Sequence, residues 1–222
     1  MSRTFLILIP TIIAILMRLK PFDLLLRTFN TLTHELSHAL IAKIFRQKIQ
    51  KIVLNRDFSG SCITKITNKK SMFFISIAGY TIPALIGYGL ILSIPYDISK
   101  YLLYSIFIIN IISLIFVVAN SFGRIWTICF ASLNLIFLIV PIFSPYYNHI
   151  IYIYACILLI ENMLSTITLL YITLTAPKKA GDSSLLKKAT KIPAIIWSLS
   201  FFCFSVFMLI ISIDATTKLQ AF

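Results

Sequence analysis

Long apolar runs alternate with short polar breaks along almost the whole chain. Residues 22–45, 71–94, 101–119, 123–143, 147–174 and 193–213 are each long and apolar enough to cross a bilayer as a helix. An earlier run, 5–17, has only thirteen residues between Arg3 and Arg18. No small-residue cleavage site follows it, so it reads as a short or half-spanning helix rather than a signal peptide. The stretch 46–70 breaks the pattern. Ile49, Ile52, Leu54, Cys62 and Ile66 are spaced as in β-structure around a glycine, which predicts a hairpin with its turn near Asp57–Gly60. Around 177–192, "APKKAGDSS" is rich in helix breakers, and Asp182 stands where an N-cap precedes a short amphipathic helix. The expected fold is an all-α polytopic membrane protein with six to seven transmembrane helices. A small β-hairpin follows the second apolar segment, and residues 1–222 form a single domain.

Composition agrees. At 59% hydrophobic and 12% charged residues, a 222-residue chain has more apolar surface than a soluble fold would bury. The net charge of +13 is explained by its placement. Lys43, Arg46, Lys48, Lys51, Arg56, Lys65, Lys69 and Lys70 surround the hairpin, and Lys178, Lys179, Lys187, Lys188 and Lys191 surround the later loop. Alternating the spans puts 46–70, 120–124 and 177–192 on one side, which positive charge marks as cytoplasmic and as the side that meets anionic headgroups. Nucleic acid is not needed to account for the charge. Cys62, Cys129, Cys156 and Cys203 are too scattered for a disulfide frame or a thiolate zinc site. Gly79, Pro83 and Gly87, four apart, form a small-residue stripe that suits close helix packing.

One polar cluster stands inside an apolar segment. In "THELSHALIAKIF", His34 and His38 are four residues apart, so a helix turns both imidazoles to one face. Glu35 lies between them. This is the HExxH pattern, in which two histidines bind Zn2+ and the glutamate acts as general base on zinc-bound water. The chain has three histidines and two glutamates, and this motif uses two of the former and one of the latter. Ionisable groups at membrane depth are costly and normally serve a site. Such a zinc site needs a third protein ligand. His149 falls at the outer edge of a span. Glu161, in the middle of "ILLIENMLS", matches the histidines in depth and is the first choice, with Asp182 as the alternative if its loop folds back.

"HELSHALIAKIF", the β-type "SGSCITK", "AGYTIPALIG" and "GDSSLLKKATKIPAIIW" together resemble the site-2 protease-like intramembrane zinc metalloproteases, in their small bacterial branch without a PDZ domain. The resemblance runs in order over most of the chain. It implies a multi-pass protein of the bacterial inner (plasma) membrane that hydrolyses peptide bonds in or near transmembrane segments of membrane-protein substrates. It implies His34 and His38 as zinc ligands, Glu35 as the base, and the strand around Ser59, Gly60, Ser61 and Thr64 as an edge that holds unwound substrate by β-addition. The chain lacks an LDG triplet and an NPxP stretch, so the resemblance assigns no third ligand. The alternative function is a membrane-embedded metal-binding or scaffold protein that keeps the motif and does not cleave. A transporter would call for paired broken spans or internal repeats, which the sequence does not display.

Overall fold

The structure, a computed structural model, describes residues 3–219. Its element order is α1 (Arg3–Leu16), α2 (Phe22–Ile44), β1 (Lys48–Leu54), β2 (Gly60–Lys65), α3 (Lys69–Ser93), α4 (Ser99–Phe116), α5 (Ser121–Ile139), α6 (Tyr147–Thr175), α7 (Gly181–Thr190) and α8 (Ala194–Leu219). Among the described residues, five stretches are long and apolar enough to cross a membrane: Lys69–Tyr96, Ser99–Phe116, Ser121–Ile139, Pro141–Thr175 and Ala194–Lys218. The protein is an integral membrane protein. The segment expected to be a further full span, α2, is not among the five. Its 23 residues are long enough, but Asn30, Thr31, Thr33, His34, Glu35, Ser37 and His38 dilute its apolar character. The helix is accommodated because its polar residues turn inward. Asn30, Glu35, Ser37 and His38 are all buried. Helix α1, at 14 residues, is too short to span. It lies along α6, where the Tyr152 hydroxyl donates to the Leu6 carbonyl.

Apolar side chains facing lipid provide little net drive for helices to associate, so small residues and polar bridges between helices carry much of the packing. A Cβ at Gly87 would come 2.8 Å from Leu159 Cγ, so this glycine sets how closely α3 approaches α6. The Asn162 amide donates to the Tyr80 carbonyl of α3 and to Ser205 of α8, tying three helices at one level. Tyr154 on α6 donates to Asn134 on α5.

The hairpin forms as expected, with its turn one or two residues early. Asn55 N–H donates to the Ser59 carbonyl, and β2 begins at Gly60. β1 pairs antiparallel with β2 and bridges on its other side to Val118. Asn120 then clamps Leu54, accepting from its N–H and donating to its carbonyl. β1 is therefore the inner strand and β2 the outer one. The α4–α5 connection thus shares one end of the bundle with the hairpin. Ala180 and Leu186 of the later loop pack with Phe73 near the start of α3, at that same end. The two basic loops and the α4–α5 connection are therefore on one face.

Candidate metal centre

His34 and His38 point off one face of α2, as their spacing requires, and their Nε2 atoms are 3.0 Å apart. The third group is Asp182, in the first turn of α7. Its Oδ2 is 3.3 Å from Nε2 of each histidine. These three ligand atoms form the one cluster of metal-ligand type among the described residues. Burial pushes the Asp182 carboxyl up, but His38 and His34 outweigh it and hold the group well below the usual carboxylate range.

The donor set fits a zinc ion. Ligand atoms about 2.0–2.2 Å from a tetrahedral centre are separated from each other by about 3.3–3.6 Å. The observed triangle has edges of 3.0, 3.3 and 3.3 Å. The tautomer fits as well. His38 Nδ1 is 2.7 Å from the Ile75 carbonyl, which only accepts, so Nδ1 carries the proton and the Nε2 lone pair faces the cluster.

Two glycines make this arrangement possible. A Cβ at Gly79 on α3 would come within 2.6 Å of His34 Cε1 and Nε2 and of His38 Cε1. One at Gly60 would come 2.6 Å from Glu35 Oε1 and 2.7 Å from Thr31 Cγ2. Glu35 is buried beside the histidines, close to the backbone of β2 at Gly60 and Cys62. The Tyr80 ring meets His34 edge-on at 4.6 Å and leans on Phe201 at 4.9 Å.

The expectation of Glu161 as third ligand is corrected by the packing. Glu161 Oε1 accepts from Arg27 Nε at 2.8 Å, and the Phe58 ring covers the Arg27 guanidinium at 3.9 Å. Arg27 precedes His34 by seven residues, about 10 Å along the helix axis. Depth judged from the middle of a segment misses by that much, because α6 is 29 residues long and its centre is not the level of the histidines. Asp182 is reached instead because the chain after α6 folds back against α3. His149 lies in the first turn of α6 beside Tyr146 and takes no part.

The edge-strand residues divide. Ser59 belongs to the turn, where its hydroxyl and N–H both bond Asp57. Ser61 is paired with Val53 inside the ladder. The backbones of Ile52 and Leu54 turn toward 117–120. Their partners Cys62 and Gly60 therefore carry the outward-facing groups of β2, as does Thr64 two residues on. Sequence reasoning missed Cys62, whose backbone lies on the outward edge of β2, and read Gly79 as packing alone. Gly79 had a signal, a helical glycine in "AGYTIP", but nothing in the sequence says which side chains it meets.

No curated protein and no solved structure shows significant similarity to the chain. Residues 6–212, however, match the Peptidase M50B-like family. That match takes in the histidine pair, the hairpin and Asp182 together. The chain belongs to the Peptidase M50B-like family, membrane metallopeptidases of the site-2 protease type.

Proposed function

We propose that this protein is a zinc-dependent intramembrane endopeptidase, with His34, His38 and Asp182 holding the metal and Glu35 as general base. The observation that carries the reading is the triangle of three donor atoms 3.0–3.3 Å apart, with a buried carboxylate next to it. Zinc bound there would acidify water and polarise a peptide carbonyl. Glu35 Oε1 or Oε2 takes the proton from the attacking water and returns it to the amide nitrogen as the C–N bond breaks. Gly60, where a Cβ would fall 2.6 Å from Glu35 Oε1, lets β2 lie directly against that carboxylate.

The substrate is a membrane-protein segment. A helix holds its carbonyls in i to i−4 bonds, so the segment must unwind before attack. The outward edge of β2, at Gly60, Cys62 and Thr64, is the surface on which an extended chain would add as a further strand. Ser59 and Ser61 flank that edge without offering free backbone groups to it. The basic residues of the hairpin and of the 177–192 loop, gathered at one end, support placing that end at the cytoplasmic side against anionic headgroups; the bacterial plasma membrane is what the resemblance implies.

The test uses purified protein in proteoliposomes with a library of transmembrane peptides, read by mass spectrometry. Wild type is expected to carry one zinc per chain and to cleave. Glu35→Gln is expected to keep the zinc and lose roughly 100-fold or more in rate. Zinc without cleavage in wild type would favour the alternative, a membrane-embedded metal-binding scaffold that retains the protease motif. Absence of zinc would sink both readings.

A further inference from the structure

Asp182 is delivered by a ten-residue helix between breakers, and such a helix is marginal by itself. Something must fix its depth. Ser183, the next residue, is fully buried and its hydroxyl accepts from Ser198 Oγ of α8 at 2.8 Å. Ser198 Oγ in turn is 2.6 Å from Thr173 Oγ1 near the end of α6. Ser198 is 0% and Thr173 4% exposed, so water does not substitute for either partner. The Thr173 hydroxyl also lies 2.7 Å from the Leu169 carbonyl, and either hydroxyl can donate in the Thr173–Ser198 contact. Whichever way the protons run, the 2.6 and 2.8 Å contacts join the three side chains and are shorter than the 3.2 Å approach of Ser198 to the Ala194 carbonyl.

We propose that the hydroxyl chain Thr173–Ser198–Ser183 is a positioning device for the metal centre: it joins α6, α8 and α7 and sets the height at which Asp182 meets His34 and His38. The proposal rests on the metal-site reading above. Leu186 and Ala180 bury the apolar side of the same connection against Leu169 and Phe201, but such packing tolerates sliding, whereas a hydroxyl chain has one register. Of the three ligands, Asp182 alone comes from outside α2, so a shift of α7 opens the triangle and leaves the histidine pair intact.

The experiment measures Zn2+ affinity by chelator competition and the visible absorption of the Co2+-loaded protein, in detergent, for single variants. Ser198→Ala is expected to weaken Zn2+ binding roughly ten-fold, the effect of losing one or two buried hydrogen bonds. It should also lower the intensity of the Co2+ bands as the site departs from tetrahedral. Ser198→Thr, which keeps a hydroxyl, should recover most of the affinity. The control is Ser205→Ala, which removes another buried α8 hydroxyl bonded to α6 but not to α7. It should lower the melting temperature about as much and leave affinity and cobalt spectrum unchanged. If Ser198→Ala does not fold, Thr173→Val tests the far end of the chain with the same expectation. Unchanged affinity and spectrum in the Ser198 or Thr173 variant, or equal loss in Ser205→Ala, overturns the proposal. A wild type that binds neither metal overturns the metal-site reading instead.

Discussion

A methyl group at position 79 would fall 2.6 Å from atoms of both imidazoles, on the wall against which they are stacked. Those rings are held from behind by α2, and His38 also by the Ile75 carbonyl, so they have little room to yield. Gly79→Ala is therefore expected to weaken zinc binding by more than ten-fold while the protein still folds, measured by chelator competition beside far-UV circular dichroism. Cys62 supplies a second test at this scale. Burial, with Glu35 and Asp182 nearby, pushes its thiol up to about 12. A raised thiol pKa leaves less thiolate at a given pH, and thiolate is the form that alkylates. At pH 8 Cys62 should react with N-ethylmaleimide at least roughly 100-fold more slowly in the folded protein than in SDS, followed by peptide mass spectrometry.

Between elements, the Arg27–Glu161 pair fastens α2 to α6, and Phe58 lays the hairpin turn over it. Phe58 has φ +66°, which a non-glycine residue keeps only when its surroundings hold it. Its ring on Arg27 and its carbonyl, which accepts from the Thr31 hydroxyl, do so. The Glu161 side chain is buried but that of Arg27 is 24% exposed, so removing Glu161 leaves a partly solvated guanidinium, at a cost below the roughly 3–5 kcal/mol of a fully buried pair. Glu161→Ala should accordingly lower the melting temperature and leave zinc at one per chain. Asp182→Asn should lose the zinc and fall in melting temperature only about as far as wild type does on chelation. Metal analysis beside melting curves separates the two carboxylates. If Glu161→Ala loses the metal in a protein that remains folded, the structural assignment of that residue fails. Phe58→Ala should free the hairpin from α2, seen as faster amide exchange at Gly60–Thr64.

At the scale of the molecule, a metal held at this site would join α2 to the far end of the chain. The candidate donors come from positions 34, 38 and 182, so such a metal would close a loop through most of the fold. A ligand present at 100 times its dissociation constant stabilises the binding state by about 2.7 kcal/mol. Chelation should therefore lower the melting temperature of wild type by several degrees and leave that of Asp182→Asn nearly unmoved. An equal drop in both would mean that the metal is bound without Asp182.

The apolar runs by themselves determined that the chain lives in a membrane, where most of its helices start and stop, and that a hairpin interrupts them. These are local properties, set by segment length and by periodicity. The two histidines and Glu35 were legible for the same reason, since one helical turn fixes their relation wherever α2 goes. The third donor was not. Choosing between Glu161 and Asp182 required knowing that α6 slides Glu161 to the level of Arg27 and that the α6–α8 connection turns back into the bundle. That information lies in packing between residues more than 130 positions apart. Nor could the sequence say that β1 is the inner strand, because that follows from Asn120 and the Ile52–Val118 bridge. Spacing along a single helix is fixed by its covalent geometry, whereas the distance between two helices is fixed by the side chains that meet there, and only the tertiary structure shows which ones do.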